Sequence, residues 1–270
     1  MTERLTTLAA VKEWLDMSSE ASDSLLTRVI DAASQFALNH MNRDGFGSRD
    51  YTQNFMGNGK TENLLNNWPI IDITSVGING SLIPASSFGV GGLPTSGYRV
   101  SDLRSAPQAL QLYGYNFIYR TPCQVIYRAG YQASQVFLLA NPDSLASIEV
   151  IPTASGQWVS DVGVTLNGVE ATKVATSPAT GEYSVSEWGV YTFNTADDSA
   201  EAIITFSYCP FLVSFGVTEL VGEWFKRRDR IGVSSKALSG GVGENVSFTQ
   251  SDMNASVRSY LQAYKNVIPV

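Results

Sequence analysis

The sequence predicts an α+β protein in which an antiparallel bundle of about four helices carries β-hairpin elaborations and a small inserted β-sandwich or barrel. Three observations lead to this expectation. Apolar residues recur at helical spacing near both ends of the chain, short alternating runs separated by turn residues fill the middle, and acidic residues concentrate in one part of that middle. The expected domains are residues 1–132 plus 209–270 for the helical part and residues 133–208 for the insert.

Helical periodicity predicts four helices, two near each end of the chain. They are expected at residues 7–16, 22–43, 213–231 and 252–266. In the second of these, apolar side chains from Leu25 to Met41 keep a spacing of three and four residues. Two amphipathic helices joined by a short linker indicate an antiparallel pair with a shared core.

Short runs of β-forming residues alternate with turn sequences between these helices. Residues 51–56 and 63–65 flank the turn sequence 57–60, which suggests a hairpin. Asn79-Gly80, directly after the run 73–78, is a stronger hairpin signal. The closely spaced runs between residues 133 and 208 predict a self-contained sandwich or barrel.

The acidic excess of the chain is local. The protein has 18 basic and 25 acidic residues and a net charge of −7, and residues 133–208 alone contain nine acids and one base. Because an acidic surface repels nucleic acid, this segment is not expected to bind DNA. We expect the insert to serve solubility, to face a cationic partner, or to line a path to which DNA must not adhere.

Hydropathy and cysteine content point to a cytoplasmic place of synthesis. No apolar run approaches the roughly 20 residues that cross a bilayer, and charges stand where a signal peptide would need an apolar stretch. We therefore expect no membrane association. Cys123 and Cys209 flank the insert; two reduced thiols are the expected state, and proximity of the two in space is the alternative.

The residues offer little for catalysis. The sequence Gly57-Asn58-Gly59-Lys60-Thr61 lacks the first glycine of a phosphate-binding loop, and no helix is expected after it. His40 is the only histidine, which disfavours a zinc site and a catalytic triad. Asp197-Asp198 lies in a turn signal, where solvated carboxylates are expected. We expect no enzyme, no catalytic residue, no cofactor and no metal; a hydrolase using carboxylates of the insert is the remaining alternative.

One basic cluster, Lys226-Arg227-Arg228-Asp229-Arg230, ends the third expected helix. It can be a solvated helix end, because cations are favoured at the negative end of the helix dipole. It can equally be a contact to a partner or a neighbouring subunit, because arginine is enriched at interfaces.

Taken in order along the chain, several segments together resemble the phage head–tail connector (adaptor, head completion) family. The resemblance covers roughly residues 5–131 and 211–268. Its carriers are residues 5–15, Leu25-Leu26 with residues 30–33, the Gly57-Asn58-Gly59 turn, Trp68-Pro69-Ile70 with residues 73–76, residues 125–131, residues 223–228 with 232–236, and residues 260–264. The insert is similar to small β-modules of phage structural proteins through residues 177–185 and 189–193.

The resemblance implies a structural role in the neck of a virion. Members form a homo-oligomeric ring, often a dodecamer, beneath the portal of a filled head; they help retain packaged DNA and dock the tail. For this chain it implies the portal protein and a tail or stopper protein as partners, with DNA passing through the channel without sequence-specific binding. Contacts to the portal or a neighbouring subunit are expected at six residues. These are Trp224, Arg227, Arg228, Arg230, Tyr260 and Tyr264.

The alternative function is that of a virion binding module. In that case the β insert attaches to a glycan, a tail-fibre protein or a decoration protein. Trp158, Trp188 and Tyr191 are the aromatic residues that would stack on a sugar, and a place in the core of the insert is the competing interpretation.

Overall fold

The computed structural model of the protein describes residues 3–89, 92–101, 108–140, 147–153, 155–228, 235–238, 244–247 and 253–266. The chain divides into two compact units. The first, here called the helical unit, comprises Met1–Met41, Ser155–Gln157 and Cys209–Lys265. The second, the β unit, comprises Asn42–Ala154, Trp158–Tyr208 and Asn266–Val270.

The helical unit contains the helices that the periodicity predicts. They are α1 (Leu8–Trp14), α2 (Asp23–Met41), α3 (Phe211–Arg227) and α4 (Ala255–Gln262). The Thr7 hydroxyl accepts a hydrogen bond from the backbone N–H of Ala10 at 3.1 Å and caps α1, and Asn254 caps α4 in the same way. Apolar residues from all four helices are buried against one another. They include Val11, Leu26, Ile30, Ala33, Ala37, Val213, Val217, Leu220, Val257 and Leu261.

The first half of the β unit, here called the first β module, contains seven strands. They are β1 (Arg49–Met56), β2 (Glu62–Leu64), β3 (Ile70–Ile78), β4 (Ser81–Ile83), β5 (Gly97–Val100), β6 (Ala109–Tyr113) and β7 (Pro122–Ala129). One sheet has the order β1-β7-β3-β4 and the other β2-β6-β5. The two sheets share a core centred on Val76, Leu110, Phe117, Val125 and Tyr127.

The hairpin expected around residues 57–60 is absent from these sheets. β1 pairs with β7, and β2 pairs with β6. Residues 57–60 instead lie against the loop before β7, because Gly57 N–H donates to Thr121 O at 2.8 Å and Gly59 N–H donates to Phe117 O at 2.7 Å. The hairpin at Asn79-Gly80 is confirmed, since both residues have positive φ, 51° and 78°, and β3 pairs with β4.

The chain from Gln132 to Pro210, here called the second β module, contains eight strands. They are β8 (Gln132–Leu138), β9 (Ile148–Val150), β10 (Gly156–Leu166), β11 (Val169–Glu170), β12 (Thr172–Lys173), β13 (Glu182–Val185), β14 (Tyr191–Phe193) and β15 (Glu201–Pro210). The sheet orders are β11-β10-β15-β8 and β12-β13-β14-β9. Their shared core includes Val164, Tyr191, Phe193, Ile204 and Phe206. A separate hairpin joins β16 (Ser235–Leu238) to β17 (Glu244–Ser247).

The expected fold class is wrong: the protein is mostly β rather than a helical bundle with a small β insert. Four sheets of three or four strands account for more of the described residues than the helices do. The reason lies in the first β module. Its short strands were expected to be hairpins attached to the helices, but long-range pairing joins them into two sheets with a core of their own.

Candidate interaction surfaces

Three predicted contact residues lie at the C-terminal end of α3. Trp224 is partly buried, and its ring meets that of Phe36 on α2 edge to face with centroids 5.4 Å apart. Arg227 is partly buried and Arg228 is exposed. Both cations lie at the negative end of the α3 dipole, where positive charge is favoured. This end of α3 therefore combines an aromatic packing contact with two guanidinium groups.

The other predicted tyrosines lie on and just after α4. Tyr260 is partly buried, and its ring meets that of Phe215 edge to face at 5.9 Å. A Cβ placed on Gly216 would lie 3.3 Å from Cδ2 of Tyr260, so the glycine allows α3 and α4 to approach closely. Tyr264 is also partly buried and donates its N–H to the backbone oxygen of Leu261. Arg230, predicted to act with these residues, lies outside the described residues.

The predicted residues do not form one patch. Tyr260 packs beside Gly216, eight residues before Trp224, which corresponds to about 12 Å along a helix. α4 also runs away from the arginine end of α3, because its cap Asn254 donates to Glu219 at 2.6 Å while the later Tyr260 reaches Gly216. The structure thus separates the arginine end of α3 from the tyrosines. Whether either contacts a partner stays a prediction.

A further surface of the helical unit is formed by exposed and partly buried aromatic residues. Trp14 at the end of α1 is 48% exposed, and Phe211 at the start of α3 is 69% exposed. Phe215 joins them, with ring centroids 5.4 Å from Trp14 and 6.1 Å from Phe211. Leu212 is exposed beside them. We call Trp14, Phe211, Leu212, Phe215 and Tyr260 the aromatic surface.

Sequence reasoning missed most of the aromatic surface. α3 was expected to begin at residue 213, and it begins at Phe211, directly after Pro210. The four-residue spacing of Phe211 and Phe215 places both on one helix face and was the available signal. Trp14 packs against Gly222 of α3, since a Cβ there would lie 2.9 Å from Trp14 Cδ1, and it stays 48% exposed.

The second β module holds a buried carboxylate. The side chain of Asp161 on β10 is only 7% exposed, and it accepts hydrogen bonds from the hydroxyls of Tyr183 and Tyr191, both at 2.9 Å. Lys173 lies 2.9 Å from the same carboxylate. Burial raises the pKa of both tyrosines, and the nearby Asp161 charge raises it further. With its hydrogen-bonding capacity used inside the module, Asp161 holds the two sheets together.

The aromatic residues considered for glycan stacking are largely used by the core of the second β module. Tyr191 is fully buried. Trp158 packs against the core and donates its indole N–H to the Tyr191 hydroxyl at 3.3 Å. Trp188 is partly buried. For Tyr191 the core interpretation is therefore the correct one, whereas stacking by Trp158 and Trp188 stays a prediction.

The carboxylate of Asp197 was expected to be solvated, but it is buried. It is 7% exposed and accepts the backbone N–H of Gly181 at 3.1 Å. A short 3₁₀ helix at Thr195–Asp197, capped by Asn194, directs it inward. Its role in the described structure is to fix a turn of the second β module.

The thiols and the histidine have shifted pKa values. Cys123 and Cys209 are both buried and free, and burial raises the pKa of each thiol. His40, near the end of α2, is partly exposed, and its Nε2 atom is buried without a hydrogen-bond partner in the structure. Burial, followed by the charges of Lys265 and Arg258, lowers the pKa of His40. The neutral form of its imidazole is therefore favoured in the folded protein.

Among the described residues, no group of three or more His, Cys, Asp or Glu side chains is placed to hold a metal ion. No helix in the described ranges has the length and apolar character that crossing a membrane requires.

No family model matches the sequence, and no curated protein matches it.

Proposed function

We propose that this protein is a structural head–tail adaptor of a tailed bacteriophage, located in the neck of the virion. Its subunits form a ring beneath the portal, help to retain the packaged DNA and dock the tail or a stopper protein. DNA passes through the channel of the ring without sequence-specific binding. The protein acts as an assembly component and not as an enzyme.

The choice of this class rests on the order of the resembling segments along the chain. They begin with the two N-terminal helices and end with the segments around Trp224 and Tyr260. The larger share of β structure does not remove this support, because a ring subunit needs lateral surfaces rather than a particular proportion of helix.

The observation that carries the proposal is the aromatic surface. Exposed apolar residues scattered singly are ordinary, whereas a contiguous cluster marks an interaction site. Here three rings contact one another in a row from Trp14 through Phe215 to Phe211, and Leu212 extends the cluster. Aromatic residues are also among the types enriched at protein interfaces. We assign this surface to the contact with the portal or a neighbouring subunit.

The decisive experiment images the purified protein mixed with its cognate portal by cryo-electron microscopy. A ring stacked on the portal with the aromatic surface at a protein contact is the expected result. A portal left bare, with both proteins folded, contradicts the proposal.

Two variants test the surfaces separately by co-sedimentation with the portal. Phe211→Asp combined with Leu212→Asp is expected to abolish binding, and acidic residues are compatible with the first turn of a helix. Arg227→Glu combined with Arg228→Glu tests the other end of α3. Leu82→Asp is the matched control, because Leu82 is 77% exposed but lies in the first β module.

A further inference from the structure

Two strands of the β unit are long outer strands of their sheets. β1 has eight residues and β8 has seven. The other outer strands of the four larger sheets have two to four residues. An outer strand presents a row of backbone N–H and C=O groups that can pair with another chain. Proteins usually prevent such pairing by a short outer strand, charged side chains, proline or a bulge. Among the described residues, β1 and β8 are thus the outer strands of these four sheets that are longer than four residues.

The edge of β8 is regular and uncharged. Its sequence is QASQVFL, and it pairs with β15 without a register shift. The ladder is fixed by Tyr208 N–H donating to Tyr131 O and Leu139 N–H donating to Ala200 O. Because antiparallel partners alternate, the backbone groups of the even-numbered residues face away from β15. The side chains of two of them, Val136 and Leu138, are 59% and 73% exposed.

The second half of the β1 edge is likewise regular and uncharged. It pairs with β7 through eight residues without a register shift, and Gly57 N–H donating to Thr121 O continues that ladder. The even-numbered residues, including Thr52 and Asn54, therefore direct their backbone groups away from β7. From Thr52 to Met56 the strand carries no charge.

Space for a further strand lies beside β1. A groove of about 610 Å³ runs along it, with Asn54 and Phe55 on the β1 side and Asn63 and Leu64 on the β2 side. The volume falls in the range of about 300–1,000 Å³ typical of occupied sites in proteins. The Gln53 side chain crosses the groove: its amide donates to Leu64 O at 3.2 Å, and its Oε1 accepts the Asn66 N–H at 2.9 Å. A backbone approaching β1 thus meets a polar groove rather than a packed surface.

We propose that β8 of one copy pairs with β1 of a second copy, so that subunits join head to tail by adding a strand across each interface. This inference rests on the proposed ring-forming function and names the contact that builds the ring. Strand addition supplies main-chain hydrogen bonds to both open edges. Because the two surfaces differ, the contact is heterologous, and a heterologous contact gives a ring when the rotation between successive subunits closes and an open filament when it does not.

The distribution of charge selects this pairing over β8 with β8 of another copy. The second β module carries an excess of acid. Its acidic residues are Asp143, Glu149, Asp161, Glu170, Glu182, Glu187, Asp197, Asp198 and Glu201, against the single base Lys173. Residues 44–131 have six bases and five acids. Two second modules side by side would repel each other, whereas a second module beside a first module meets a nearly neutral surface.

Proline substitution at outward-facing positions tests the pairing. Val136→Pro removes a backbone N–H that faces away from β15, so the ladder within the subunit stays intact. Thr52→Pro does the same on β1. Val136→Thr and Thr52→Val are matched controls that keep the N–H. The oligomeric state is read by mass photometry and light scattering. Both controls are expected to assemble like the native protein, and each proline variant alone is expected to be monomeric.

Mixing the two proline variants distinguishes head-to-tail pairing from symmetric pairing. Val136→Pro keeps a working β1 and Thr52→Pro keeps a working β8, so an equimolar mixture is expected to form a one-to-one dimer and nothing larger. Pairing of β8 with β8 would instead leave Thr52→Pro able to self-associate, and pairing of β1 with β1 would leave Val136→Pro able to do so. Either result overturns the proposal, as does a native protein that stays monomeric at every concentration.

Folding and portal binding are followed in parallel. Circular dichroism and a thermal melt show whether each proline variant is folded; where Val136→Pro is not, Leu138→Lys places a charge on the same edge and is expected to block assembly too. Rings that form but do not bind the portal contradict the proposed function and leave the strand pairing intact. Rings unaffected by either proline, or by Leu138→Lys, contradict the pairing and leave the adaptor function intact.

Discussion

The two β modules follow one plan but fix their cores by different means. Each packs two sheets around a buried apolar cluster. In the first β module, glycines let backbone segments approach so closely that no side chain fits between them. In the second, a buried carboxylate joins the sheets through tyrosine hydroxyls. Modules of similar architecture can therefore be sensitive to different substitutions. We expect the first module to be destabilised when a side-chain atom is added at a close backbone contact, and the second when a buried polar group is removed.

Two glycines of the first β module lie where backbone segments approach each other closely. A Cβ on Gly57 would overlap the backbone oxygen of Ile118, which belongs to the loop before β7. Gly130 has a φ of 140°, and a Cβ there would lie 2.6 Å from the oxygen of Gly47. The obstacle in each case is backbone, which cannot rotate away as a side chain can.

The largest effect is expected from Gly57→Ala. The added methyl group requires the 117–121 loop to move and disrupts the hydrogen bond from Gly57 N–H to Thr121 O. We expect the free energy of unfolding to fall by about 4 kcal/mol, as for other exceptional backbone clashes. Chemical denaturation measures it. Gly163→Ala is the control, because nothing lies within 4 Å of a Cβ there, and it should change stability by less than about 1 kcal/mol. Equal losses in both variants would refute the close-approach explanation.

Asp161→Ala should have the next largest effect. It leaves the hydroxyls of Tyr183 and Tyr191 buried without their acceptor, and each such loss costs about 1–3 kcal/mol. We expect a total loss of about 3 kcal/mol in an equilibrium urea titration. Asp161→Asn keeps an acceptor oxygen and should lose about half as much. If the alanine and asparagine variants were equally stable, the hydrogen bonds would not be what holds the second module.

Alkaline pH should destabilise the second module. Burial, reinforced by Asp161, raises the pKa of Tyr183 and Tyr191 in the folded protein above the value in the unfolded chain. The unfolded chain then loses its tyrosine protons first, so stability is kept below about pH 10 and falls as the pH rises above it. Tyr183→Phe should reduce this slope in thermal melts taken between about pH 9 and 11. A slope identical to that of the native protein would exclude Tyr183 as its source.

The smallest effect concerns His40, which lies outside both modules and serves as a reference for them. Burial and the charges of Lys265 and Arg258 lower its pKa in the folded protein. The unfolded chain therefore binds the proton more readily, and stability decreases as the pH falls through about 6.5. In the native protein the melting temperature should fall between about pH 7 and pH 5, and in His40→Gln this fall should be smaller by about one or two degrees. A native protein that grows more stable toward pH 5 would contradict this sign.

Local patterns predicted the elements of the helical unit better than the pairing of the β unit. The spacing of Leu25, Leu26, Val29 and Ile30 identified α2 because a helix is satisfied by its own neighbours in sequence. The turn at Asn79-Gly80 was identifiable for the same reason. β1 pairs with β7 some seventy residues away, and no local signal shows that partner. The short strands were therefore recognised singly, and the sheets they form were not.

Some individual residues were misread for related reasons. Gly57 was placed in a hairpin because glycine suits a turn, but its role depends on Ile118, which is distant in sequence. β8 was not expected as a strand, because its alternation of alanine, glutamine and phenylalanine is weak. Asp161 belongs to no motif. Its role appears only when Tyr183 and Tyr191 are brought to it by the fold.

The chain enters and leaves the second β module at the same place. Gln132, its first residue, is directly paired with Ser207, and the preceding Tyr131 accepts a hydrogen bond from the N–H of Tyr208 at 3.0 Å. The two ends are one strand spacing apart, about 5 Å. A segment with such ends can be gained, lost or exchanged in a single genetic event without lengthening any path through the remainder of the protein. The chain ends at Tyr131 and Tyr208 are thus close enough for a short turn to span them in place of the second module.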